Sequence, residues 1–145
     1  MAIRALGEAP DRAIPLLRSK VVPVAEPDAA KLKAMIAALG SEEFAEPERA
    51  SEGLRQLDKL AEPALRAARR ATQSPEVVQR TSELLDRLAL AQPTRAELCA
   101  ARAVEIAEWI GMPEAVKLLD TWSRGADGAR LTTEARAALA RLKMR

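Results

Sequence analysis

Four arginines are the residues of this chain best placed for binding chemistry. Arg66, Arg69 and Arg70 stand at i, i+3 and i+4, one face of a helix, and Arg80 follows on the next helical stretch. Together they could form a positive ridge facing an acidic partner or a phosphate backbone. The plainer reading is a solvated face with local ion pairs to Glu76 or Glu83. Trp109 is the other candidate. It falls at the edge of an apolar helical arc beside Arg102 and Glu105, where it either packs at the core edge or anchors an interface.

Reaction chemistry has little to work with. The chain has no histidine, so the commonest general acid/base and the commonest metal ligand are both missing. Its one cysteine, Cys99, has no partner for a disulfide or a zinc site, and the apolar run LCAARAV around it predicts a small buried hydrophobe. The acidic run Glu42, Glu43, Glu46, Glu48 and Glu52 lacks the alternating ligands and turn glycine of a calcium loop. It reads as charge bias at a helix N-terminus. Serines and threonines mostly occupy cap positions with no activating base, and no glycine-rich phosphate loop is present. The residues therefore predict no enzyme, no cofactor and no metal.

The elements that must carry these groups are helices. Of the 145 residues 48% are hydrophobic and 30% charged but only 2% aromatic; tyrosine is absent and β-branched residues are few. That length suits one domain burying roughly 70% of its unfolded surface. Net charge is only +2, with both signs interspersed, and no stretch approaches the about 18 apolar residues of a membrane span. A soluble, cytoplasmic protein is the expectation, with no membrane among its partners.

Residues 1–9, MAIRALGEA, look like the last turns of a helix without a beginning, as if cut from something longer. Pro10 opens PDRAIPLLRSK as a first-turn proline, and Pro15 should end or bend that helix. Pro23 and Pro27 make an extended connector, and Leu32, Met35, Ile36 and Leu39 then mark one helix face. Phe44 is expected as an apolar anchor under the next turn. A helix over 48–60 places Ala50, Leu54 and Leu57 inward, with Gly53 costing about 1 kcal/mol unless helices approach closely there. Further helices run over 62–72, from Ser74-Pro75-Glu76 to about 89, and from the capping box Thr94–Glu97 to 110. The last of these is apolar over most of its circumference, as a helix flanked on both sides would be. Pro113 starts a helix with Ala115, Leu118, Leu119 and Trp122 on its core face. Thr132 is expected to cap the final one, with Leu131, Ala135, Ala138, Leu139 and Leu142 as its stripe.

Three segments superimpose without gaps: ERASEGLRQL from 48, QRTSELLDRL from 79 and TEARAALARL from 133. Each has a small or polar residue third, an aliphatic seventh and a leucine tenth. The helices before them echo one another as AIPLLR, AEPALR and AVKLL. Repeated helix pairs cannot bury their own apolar faces and must stack on neighbours.

On these residues the chain resembles HEAT-like helical repeats of the phycobilisome-lyase type. More narrowly, PDRAIPLLRSKVVPV, DAAKLKAMIAALGSEEFA, EPALRAA and the stretch from Arg102 to Leu142 are similar, in this order, to the helical region at or near the C-terminus of large bacterial WD-repeat proteins. The chain departs from that pattern at Met112, where a threonine cap is expected, at Trp122, where a leucine is usual, and in a shortened Leu60–Glu62 link. The resemblance implies an all-α, right-handed superhelical stack, or α-solenoid, of about eight helices and brings no catalytic residues.

The expected organisation is a single helical-repeat domain over 1–145. Residues 1–23 would be the remnant of a preceding repeat, 24–27 a proline-rich connector and 28–143 the main stack. The expected function is a non-catalytic interaction or scaffold module within a larger multidomain protein, binding a protein or neighbouring domain. The alternative is nucleic-acid binding through the arginine ridge, since HEAT-like folds include DNA-repair enzymes. Lyase-type chromophore chemistry is an analogy of fold alone, and the residue inventory speaks against it.

Overall fold

A computed structural model describes Ala5 and residues 8–145, and the expected helical remnant at the N-terminus falls largely outside those residues. The described residues contain helices and no strands. In chain order the helices are α1 (Pro10–Lys20), α2 (Ala29–Ala38), α3 (Ala45–Leu57), a 3₁₀ turn (Asp58–Ala61), α4 (Glu62–Ala71), α5 (Pro75–Leu90), α6 (Arg95–Ile110), α7 (Pro113–Ser123) and α8 (Arg130–Lys143). The chain divides into two compact units: residues up to Ala25 together with Pro93–Arg145, and Glu26–Gln92.

In the first unit α7 and α8 pack on each other and on α6, with α1 against α6 and α7. The expected stripe of α7 is fully realised, since Ala115, Leu118, Leu119 and Trp122 are all buried. They meet Ala103, Val104, Ile106 and Ala107 of α6, Leu131, Ala135 and Ala138 of α8, and Ile14 and Leu17 of α1. The Trp122 indole N–H donates to the Val21 carbonyl at 3.2 Å, so its one polar group is satisfied in the core. Three residues further along the connector, the Val24 carbonyl accepts from the Ala126 N–H at 2.8 Å. A Cβ on Gly125 would lie 3.1 Å from that same Val24 oxygen and 2.8 Å from Thr132 Oγ1, which explains why the α7–α8 corner carries glycine. Pro15 does not end α1. It stands on the exposed side of the helix, while Ala13, Ile14 and Leu17 turn inward.

Helix starts follow local chemistry where a cap exists. Thr94 and Glu97 form the reciprocal capping box at 3.1 and 2.8 Å, and Ser74 Oγ accepts from the Val77 N–H. Asp28 caps α2 through the amides of Ala30 and Lys31. Met112 is the N-cap of α7 and offers no side-chain bond. Thr132 is not a cap. Helix α8 begins two residues earlier, at Arg130, so Thr132 lies in its first turn, fully buried, and its hydroxyl has no partner among the described residues.

In the second unit, α2 packs on α3 and α4 on α5. Leu39, Ala50, Leu54, Ala61, Leu65, Leu84 and Leu88 form its core. The third position of all three repeat segments is buried: Ala50, Thr81 and Ala135. Thr81 satisfies its hydroxyl by donating to the Val77 carbonyl at 2.7 Å. Gly53 has the close approach that its helix needs, because a Cβ there would lie 2.6 Å from Met35 Sδ on α2.

Two expectations fail here. The helix foreseen over 48–60 runs from Ala45 to Leu57 and is broken by Asp58, whose φ of 53° lies in the left-handed region. Its earlier start makes Phe44 the N-cap, and the ring is 95% exposed instead of anchoring the turn. Leu39 and Pro47 are buried at that corner in its place.

Candidate interaction surfaces

Helix α4 turns Leu65 into the core, and this leaves Arg66, Arg69 and Arg70 facing outward. Arg66 ion-pairs with Glu62 one turn back. Arg70 Nε donates to the Arg66 carbonyl at 3.3 Å, near the negative end of the helix dipole. Arg69 has no partner among the described residues. Arg80 has different surroundings: its guanidinium reaches Glu76 on its own helix at 3.4 Å and Glu48 on α3 at 3.3 Å. The expected partner Glu83 instead accepts from Gln79. Arg80 Nε is buried without an acceptor among the described residues.

Arg80 therefore lines a charged groove between α3 and α5, with Glu48, Ser51, Arg55, Glu83, Leu84 and Arg87; none of the three α4 arginines lines it. Next to it, sharing Arg55, Leu84 and Arg87, is an apolar pocket of about 130 Å³ floored by Leu54, Leu65, Leu84 and Leu88. Asp58 and Ala91 complete its lining. The hydrophobic spacing marks these leucines only as core. That they leave a space depends on how α3, α4 and α5 are held apart by the 3₁₀ link, for which the sequence offers no signal.

The other surface belongs to α6. Its buried residues are Ala103, Val104, Ile106 and Ala107, on one side of the helix; the expectation that it is flanked on both sides is not met. Leu98, Arg102, Glu105 and Trp109 share the opposite face at i, i+4, i+7 and i+11, and all four are exposed. Trp109 is 66% exposed, Leu98 49% and the following Met112 43%. Arg102 and Glu105 pair at 3.1 Å within this stripe. Cys99 is exposed as well, although Ala100 beside it packs against the core.

On its packed side α6 is tied to α8. Arg141 Nε and its terminal nitrogen donate to the two Glu108 carboxylate oxygens at 2.9 and 2.8 Å, a bidentate pair, and Arg145 approaches at 3.8 Å. The Arg141 hydrogen bonds hold the Glu108 carboxyl below the usual range against the opposing effect of its burial, and the charges of Arg141 and Arg145 add to this. The same pairing raises Arg141. Among the described residues no group of Cys, Asp and Glu is arranged to hold a metal ion, and no helix is long and apolar enough to cross a membrane. Comparison of the chain with known protein families, curated proteins and solved structures finds no match.

Proposed function

We infer that the chain is a non-catalytic protein-interaction or scaffold module of the HEAT-like α-solenoid kind, a right-handed stack of helix pairs within a larger cytoplasmic protein. The packing of sequence-adjacent pairs, α2 with α3, α4 with α5 and α7 with α8, supports the stack. The observation that carries the function is Trp109. A tryptophan two-thirds exposed on a helix face that also carries Leu98 and Arg102 has the composition of an interface anchor. Its partner is a protein or a neighbouring domain that buries the indole.

The test uses the indole as its own reporter, because the other tryptophan is buried in the core. Immobilised chain should retain a partner protein that Trp109→Ala binds about tenfold or more weakly, and the exposed tryptophan's emission should move to the blue in the complex. Equal retention by Trp109→Ala, or turnover of a substrate by the purified chain, would overturn the proposal. Nucleic-acid binding has the unpaired Arg69 in its favour, but Arg66 and Arg80 are engaged with carboxylates. It requires duplex binding that weakens with salt and is lost in Arg66/Arg69/Arg70→Ala.

A further inference from the structure

The Glu26–Gln92 unit displays a knob and a socket of matching chemistry. Phe44 projects from the α2–α3 corner with its ring almost wholly in solvent. That corner is held rigidly: Glu43 N–H donates to Ser41 Oγ, Glu46 N–H to the Glu43 carbonyl, and Leu39 beneath is fully buried. An ordered, exposed phenylalanine leaves its apolar surface in water in every copy. Beside it in the chain are Glu42, Glu43 and Glu46, exposed carboxylates with no ion pair among the described residues.

The socket is the leucine-floored pocket. Its volume of about 130 Å³ is close to that of cavities known to take up benzene, which is the part of Phe44 that would enter. Arg55 and Arg87 stand at its lining with Asp58. Arg55 is paired with Glu52 at 3.3 Å, while Arg87 has no partner among the described residues. The acid-flanked ring thus meets a rim carrying a free guanidinium.

The two features cannot meet within one molecule. Phe44 caps the start of α3 and Leu54 lies near its end, ten residues of straight helix or about 15 Å away. We propose that copies of this chain associate head to tail, the Phe44 ring of one seated in the leucine-lined pocket between α3 and α5 of the next. The contact is heterologous, so a bound pair still presents one free knob and one free socket, and association grows into short chains instead of stopping at a dimer. A contact of this size gives weak, concentration-dependent assembly, effective where copies are held close together. The proposal rests on the chain being an interaction module, but it uses a surface separate from the Trp109 stripe.

Sedimentation equilibrium of the purified chain tests it over about a hundredfold concentration range reaching the millimolar region. The average mass should climb past that of a dimer at low salt and fall back as salt screens the rim. Phe44→Ala should weaken association about tenfold or more. Ala91→Glu, which puts a repelling charge on an exposed rim residue, should do the same. Both positions are exposed, so thermal melts should match the parent chain. An equal mixture of the two variants is decisive: one supplies the socket and the other the knob, and they should form one-to-one pairs that do not grow. Trp109→Ala should assemble like the parent. A parent chain that stays monomeric, a Phe44→Ala chain that still assembles, or variants that fail to pair on mixing overturns the proposal. So does a pocket that takes up phenol without any competition from assembly. None of these results bears on partner binding by Trp109.

Discussion

In the unit built from α1 and α6 to α8, a fully buried tryptophan reaches across to a connector carbonyl, and helices α1, α6 and α8 close around it. The Glu26–Gln92 unit buries leucines and alanines from consecutive helices, keeps a cavity of about 130 Å³ beside them and turns a corner through a residue with φ of 53°. The repeated segments occur in both units, yet their cores are built differently. The difference lies in side-chain volume and in what caps the core. Trp122 is the bulkiest fully buried side chain, and it both fills space in the first unit and supplies a donor for the connector. The second unit has no aromatic residue in its core, since its one phenylalanine points outward.

The comparison can be broken at its strongest point first. Trp122→Ala should cost about 3–5 kcal/mol, because it empties the largest buried volume and strands the Val21 carbonyl. Leu54→Ala in the second unit should cost about 2–3 kcal/mol, its void merging with a space that is already there. Denaturant melts give both numbers, and hydrogen exchange should place the loosened amides in different units. Equal losses spread over the whole chain would mean that the two units unfold as one.

Smaller changes should add stability. Asp58→Gly relieves a left-handed backbone at the end of α3 and should gain about 0.5–1 kcal/mol. Met112→Thr supplies the cap that α7 lacks before Pro113, for about 0.5–1 kcal/mol. A lower melting temperature for either would place the strain, or the helix start, elsewhere.

The smallest effect concerns the Glu108–Arg141 pair. The Glu108 carboxyl is depressed in the folded chain, so its contribution is present above the unfolded carboxylate range and fades as pH falls through the folded value. Glu108→Gln should therefore lower the melting temperature slightly at neutral pH, and the gap from the parent should close in acid. A gap that persisted in acid would show that the side chain acts through packing.

Local chemistry settled much of this protein in advance. Start signals at Ser74, Thr94 and Pro113 and the stripe from Ala115 to Trp122 were legible because caps and helical spacing act over a few residues. The pairing of α4 with α5 and of α7 with α8 is consistent with the repeated segments. Other outcomes depend on what lies across space. Cys99 sits in an apolar run, yet it is exposed while the adjacent Ala100 packs against the core. Phe44 is exposed because α3 starts three residues early and buries Leu39 and Pro47 at its corner. The pocket exists because α3, α4 and α5 meet around a 3₁₀ link without an aromatic side chain between them. Hydrophobic pattern says which face of a helix turns inward. Whether the space it faces is filled, left open or never covered is decided by neighbours distant in the chain, through packing that no local signal encodes.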